Sequence, residues 1–176
     1  MSLRKINRLL AMTSLFLIIT TSAVCMDNFQ GYIPDEGFVP DEKTAATIAT
    51  IIWESMHGEP SRGEKYIINL EGNVWHIKGR FILEIDKNTG EILNGDTFGY
   101  MVPDEQSAIS IAEAVWEPIY GKQIRKSKPY VACLKDGIWY VTGSPPKSIF
   151  PIAGGEPYME IDEKTGRILK VYHTKY

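Results

Sequence analysis

The residues able to do chemistry in this chain are few, and most of them occur twice. Asp41–Glu42 recurs as Asp104–Glu105, and Asp86 recurs as Asp162, each time in a matching neighbourhood. Neighbouring carboxylates can work as an acid and a base, or gather a cation. Here the surroundings explain them without either role. Both pairs follow a proline and precede a run with helical apolar spacing. Asp41 and Asp104 are therefore predicted helix caps, with Glu42 and Glu105 favourably placed at the positive helix end. The segments "DKNTGE" (86–91) and "DEKTGR" (162–167) flank hairpin turns, and they lack the alternating acidic positions and distal glutamate of a calcium loop. His57, His76 and His173 have no metal-ligand spacing, so exposed or satisfied histidines are expected. Cys133 falls in an apolar strand and is expected to be a buried thiol rather than a nucleophile. No nucleophile elbow or phosphate loop occurs. The expectation is a non-enzyme, with no catalytic residues, no metal and no cofactor.

The ends and the charge narrow the setting. Residues 1–25 run from a basic start (Arg4, Lys5, Arg8) through an apolar stretch (Leu15–Ile19) to small residues, the order of a signal peptide. The stretch is too short for a comfortable membrane span. Cleavage is expected after Ala23 or Cys25. A lipid anchor on Cys25 is the alternative, weakened by Val24 where a lipobox carries a small residue. An exported protein of the periplasm or cell envelope follows. A Cys25–Cys133 bond requires that Cys25 survive processing, so no disulfide framework is expected. Acids heavily outnumber bases between Asp27 and Phe98, and the two nearly balance from Gly99 onward. Without a broad basic field, nucleic acid is an unsuitable partner. The one basic run, "GKQIRKSKP" (121–129), reads as a solvated loop.

The positioning elements come in two copies. Val39–Gly58 and Val102–Gly121 agree at half their positions. The agreement continues from "YIINLEGNVWHIKG" (66–79) to "YVACLKDGIWYVTG" (130–143), and from "LEIDKNTGEIL" (83–93) to "MEIDEKTGRIL" (159–169). This is a tandem duplication, too short for a solenoid. Each copy opens with an amphipathic helix: Ala45, Ile48, Ala49, Ile52, Trp53 and Met56 share one face, as do Ala108, Ile111, Ala112, Val115, Trp116 and Ile119. Gly58 and Gly121 stop the helices, and Pro118 is expected to kink or fray the end of the second. Two hairpins follow in each copy, turning on Gly72-Asn73 and Asp136-Gly137, then around Gly90 and Gly166. The tryptophan-bearing face of the first hairpin is apolar in both copies and is assigned to the core, which leaves His76 and Tyr140 outside. Trp53, Trp75, Trp116 and Trp139 are the predicted aromatic core. The organisation is thus a leader (1–25), a linker (26–36), a first α+β repeat (37–98) and a second (99–176). Units of this size are marginal alone and should share an interface through their sheets or helices.

The copies differ most where the second inserts "SPPKSIFPIAGGEP" (144–157) between its hairpins. A Pro/Gly-rich loop on a rigid scaffold is suited to recognition, although a plain crossover connection accounts for it equally well. Ile149, Phe150, Gly154 and Gly155 within it, with Tyr120, Lys128 and Tyr158 nearby, form the candidate partner-binding set.

Taken in order, "VPDEQSAISIAEAVWEPIYG", "KPY", "GIWYVTG", the Gly-Gly loop and "MEIDEKTGRIL" resemble the NTF2-fold immunity protein family, from Val102 to about Val171. The first copy is a degenerate match, with "SMHG" for "PIYG" and no Gly-Gly insertion. The resemblance implies a cystatin/NTF2-like α+β fold, a sheet curled around a helix. It also implies an immunity role, binding and neutralising a cognate toxin from a competing bacterium, and it supplies no catalytic residues. The "A-x-x-I-A" helix with "W-x-V" and "E-I-D-x-x-T-G-x-I-L" strands also resembles PepSY-like envelope domains that modulate secreted peptidases, and the tandem layout and leader fit either family. "VPDE", "IYG" and the Gly-Gly loop favour the immunity reading.

Overall fold

The computed structural model describes residues 33–58, 65–79, 81–95, 99–144 and 155–173. The predicted leader, Cys25 and the candidate residues Ile149, Phe150 and Gly154 lie outside them. Each repeat is one helix followed by four antiparallel strands. Helix α1 spans Glu42–His57, and β1 (Ile67–Glu71), β2 (Val74–Lys78), β3 (Ile82–Asp86) and β4 (Ile92–Gly95) form one sheet in sequential order. Helix α2 spans Glu105–Tyr120, a 3₁₀ helix covers Lys122–Ser127, and β5 (Val131–Lys135), β6 (Ile138–Thr142), β7 (Pro157–Asp162) and β8 (Ile168–His173) form the second sheet. The expected α+β class is observed, as two separate four-stranded sheets, each following a helix.

Local chemistry accounts for these elements. Asp41 Oδ1 accepts from the Thr44 backbone N–H at 2.8 Å, and Asp104 Oδ1 accepts from Ser107 at 2.7 Å. The second helix closes a full capping box, because Ser107 Oγ also accepts from the Asp104 N–H at 3.3 Å. Asp104→Ala should therefore cost about 1 kcal/mol, typical of a lost N-cap, visible as a lower unfolding midpoint in a urea titration. The repeated Asp86 and Asp162 organise turns: each carboxylate accepts from the two backbone N–H groups two and three residues on, and from a threonine hydroxyl. Gly90 and Gly166 follow at φ 71 and 70°, left-handed positions that favour glycine.

The segment before each helix ties the whole unit together. Val39 and Val102 pair their backbone N–H groups with the turn carbonyls of Lys87 and Glu163, at 2.9 and 3.0 Å. Their own carbonyls accept the indole N–H of Trp75 and Trp139, at 2.8 and 2.7 Å. Helix start, first hairpin and second hairpin thus meet at one valine in each copy.

The two units are related by an approximate two-fold axis. Ile92 N–H donates to Thr165 O at 2.9 Å and Ile168 N–H donates to Thr89 O at 2.8 Å, a reciprocal exchange between the two second-hairpin turns. The helices pack against each other antiparallel, so that Asp41 shares a cleft with Gly121 while Glu54 shares the equivalent one with Asp104. One hydrophobic core runs through both units and includes Ile48, Ile52, Leu83 and Ile85 of the first with Ile111, Trp116, Met159 and Ile161 of the second. The expected shared interface therefore uses helices and hairpin tips together.

Three expectations need correction. Trp53 is only half-buried, stacked between His57 (centroids 3.6 Å) and Phe81 (4.9 Å). Its counterpart Trp116 is fully buried, edge-on to Tyr130, and among the described residues its indole N–H has no hydrogen-bond partner. Cys133 is exposed rather than buried: it sits on the edge strand β5, opposite Tyr140, on the face turned away from the helix. The basic run is not a solvated loop. It forms the 3₁₀ helix, buries Ile124 and Ser127, and ties itself to α2 through Arg125–Glu117 (2.7 Å) and Lys128–Glu113 (3.0 Å).

Candidate functional site

Alternation along each strand sends one set of side chains into the core beneath the helix and the other set to the opposite, outer face. In the second sheet the inner set is Trp139, Val141, Met159, Ile161 and Val171, all buried. The outer set reads across the strands in register. Val131, Thr142, Tyr158 and Tyr172 make one row, and Cys133, Tyr140, Glu160 and Lys170 the next. A register shift between Glu160 and Ile161 pushes Leu169 outward and brings Lys170 opposite Glu160.

These side chains form a compact polar-aromatic patch. Tyr158 and Tyr172 stack at 4.4 Å between centroids, and Tyr158 Oη donates to Glu160 Oε1 at 2.7 Å. Lys170 Nζ lies 3.9 Å from the same oxygen and 5.5 Å from the Tyr172 ring centroid. Burial, and then the bond to Glu160, drive the Tyr158 phenol far above its ordinary pKa. Burial likewise raises Tyr172. Both rings stay neutral throughout physiological pH.

The first unit serves as an internal comparison. Its sheet has the same register, yet the positions of Tyr140 and Tyr158 are held by His76 and Ile82, and Lys170 is replaced by Asn94. Tyr172 aligns in sequence with Asp96, which is outside the described residues. The glutamate is kept, as Glu84, and is paired with His76 Nδ1 at 3.2 Å. The fold therefore does not require tyrosine at these positions.

The sequence-derived candidates are split by the sheet. Tyr158 is on the outer patch. Tyr120, at the end of α2, meets His173 edge-on at 5.1 Å on the helix side. Lys128 also lies on the helix side, bound to Glu113 and 5.5 Å from the ring of Tyr130. Gly155 is buried. Tyr140, Tyr172, Glu160 and Lys170 were not among the candidates, although aligning the repeats against each other distinguishes three of these four positions. The inserted connection leaves from Ser144, whose N–H and hydroxyl are fixed to Ser127 O (2.7 Å) and Pro129 O (3.0 Å), and so departs from the Tyr158 end of the sheet.

Tyr130 lies beneath this region on the helix side, and its hydroxyl donates to Ile124 O at 2.8 Å. Burial pushes its phenol up to about 12. A raised folded-state value favours the protonated ring, so its contribution is complete below pH about 10 and is lost as pH rises towards 12. The thermal midpoint should fall across that window, and Tyr130→Phe should flatten the fall, as followed by circular dichroism against pH.

No group of three or more His, Cys, Asp or Glu able to hold a metal occurs among the described residues. Nor is any helix among them long and apolar enough to cross a membrane. The two helix-end clefts, about 250 and about 210 Å³, are two-fold equivalents, each lined by the first turns of one helix and the last turns of the other.

Together these features define a class: a duplicated α+β protein whose second sheet carries a cluster of tyrosines on the face turned away from its helix. Residues 107–175, which run from the first turn of α2 past the end of β8, match the family model described as NTF2 fold immunity protein. The matched span is less than half of the chain and lies wholly in the second unit. No curated protein and no solved structure matches the chain.

Proposed function

We propose that the chain is an exported immunity protein that binds and neutralises a cognate bacterial toxin, without catalysis of its own, through the outer face of its second sheet. The family match over residues 107–175 carries this reading, because it covers the unit bearing the tyrosine patch. Stacked tyrosines suit such a surface, since they bring large, rigid, amphipathic contact area at small entropic cost. The basic leader with its apolar stretch supports action outside the cytoplasm. The first unit supplies the other half of the shared core.

The reading is tested by expressing the protein beside the toxin encoded next to its gene, with and without residues 1–25. Cells should survive with the intact chain and die without the protein. For a toxin delivered to the periplasm, protection should also depend on the leader. Survival indifferent to the protein, together with no co-purification of the two, would remove the immunity reading.

A further inference from the structure

We propose that the Glu160 carboxylate receives an arginine side chain of the partner, whose guanidinium lies against the surrounding tyrosine rings. This rests on the reading that the outer face of the second sheet is the docking surface.

Glu160 is an under-used anion. Its side chain is only 20 % exposed, yet among the described residues it accepts one hydrogen bond, from Tyr158. A carboxylate offers about four acceptor positions. Among the described residues the cation paired with it, Lys170, stands at 3.9 Å, beyond hydrogen-bond distance. Withdrawing a carboxylate from water is costly unless it is paired and hydrogen-bonded. In the first unit the equivalent Glu84, at 28 % exposure, has His76 at 3.2 Å. Tyr140 replaces that histidine in the second unit. The second unit thus has the same carboxylate, a tyrosine in place of the adjacent imidazole, and further rings around it.

A guanidinium fits this environment better than an ammonium. It is planar, gives a carboxylate two parallel N–H donors, stacks on aromatic faces and is weakly hydrated. Lys170 over the Tyr172 ring already places a cation against the aromatic patch. At longer range, thirteen acidic against six basic residues between Asp27 and Phe98 would draw a basic partner towards the protein.

The full chain can be titrated with ethylguanidinium chloride, and in parallel with ethylammonium chloride at matched ionic strength, by protein-observed NMR. Saturable shifts should appear at Tyr140, Tyr158, Tyr172 and Glu160 with ethylguanidinium, and be several-fold weaker with ethylammonium. Glu160→Gln should abolish them and Glu84→Gln should leave them unchanged. Lys170→Ala, which removes the competing internal cation, should tighten binding on the order of a few-fold. Equal responses to both cations, shifts that survive Glu160→Gln, or weaker binding in Lys170→Ala would each overturn the proposal. Since no toxin enters this experiment, its failure leaves the survival test of the immunity reading untouched.

Discussion

Replacing Tyr158 and Tyr172 together with alanine is expected to weaken toxin binding by about a hundred-fold or more while leaving the fold intact. The two rings stack on each other on the outer face, and neither enters the core. Truncating aromatic anchors at the centre of an interface typically removes about 2 kcal/mol or more each, and such effects are not additive. The stability cost should stay near that of a surface cross-strand pair, about 1 kcal/mol. Calorimetric titration against the purified toxin, paired with a thermal melt of each variant, separates the two quantities. The equivalent first-unit substitutions, Ile82→Ala and Asp96→Ala, should leave the affinity unchanged. A double variant that still binds at full strength would place the interface elsewhere.

Trp139→Ala should have the largest effect on stability. The ring is 6 % exposed, and its N–H bridges to the Val102 carbonyl just before the helix cap. Deleting a buried tryptophan costs about 3–5 kcal/mol through lost transfer energy and the cavity left behind. The orphaned carbonyl adds to that. A domain stable by about 5–15 kcal/mol loses a large share of its margin this way. Because one core joins both units, equilibrium urea unfolding should remain a single transition, shifted to lower denaturant. Two separated transitions would mean that the units fold independently. Trp139→Phe, which keeps most of the volume, should cost roughly 1–2 kcal/mol.

The repeated "VPDE" shows how far sequence reasoning reached and where it stopped. Helical spacing, Asp41 and Asp104 as caps, and the glycines of the turns were legible because each depends on neighbours within a few residues. The role of Val39 and Val102 was not. Their carbonyls meet an indole some 36 or 37 residues away, and nothing in the local pattern announces that contact. Cys133 was misplaced for a related reason. Its strand is apolar, but it is an edge strand, and alternation puts the thiol on the uncovered face. Trp53 has the same helical phase and turn as the buried Trp116, yet His57 and Phe81 cover it only in part, a difference set by contacts beyond the helix.

The candidate surface was half legible. Comparing the copies locates the differences between them, of which the inserted loop is the longest. The tyrosines stood at aligned positions, opposite His76, Ile82 and Asp96. Seeing them as one patch required the register of four strands, including the shift that sets Lys170 across from Glu160. The sequence groups Tyr120 and Lys128 with Tyr158 in one candidate set. The sheet itself separates them.

Hydrogen–deuterium exchange of the full chain, with and without the toxin encoded beside its gene, tests the central claim most directly. Backbone amides of β7 and β8, from Tyr158 to Tyr172, should gain protection on complex formation, while β2 and β3 of the first sheet should not. Protection confined to the first sheet, or no protection at all under conditions where toxin is bound, would contradict the assignment of the second sheet's tyrosine face as the binding surface.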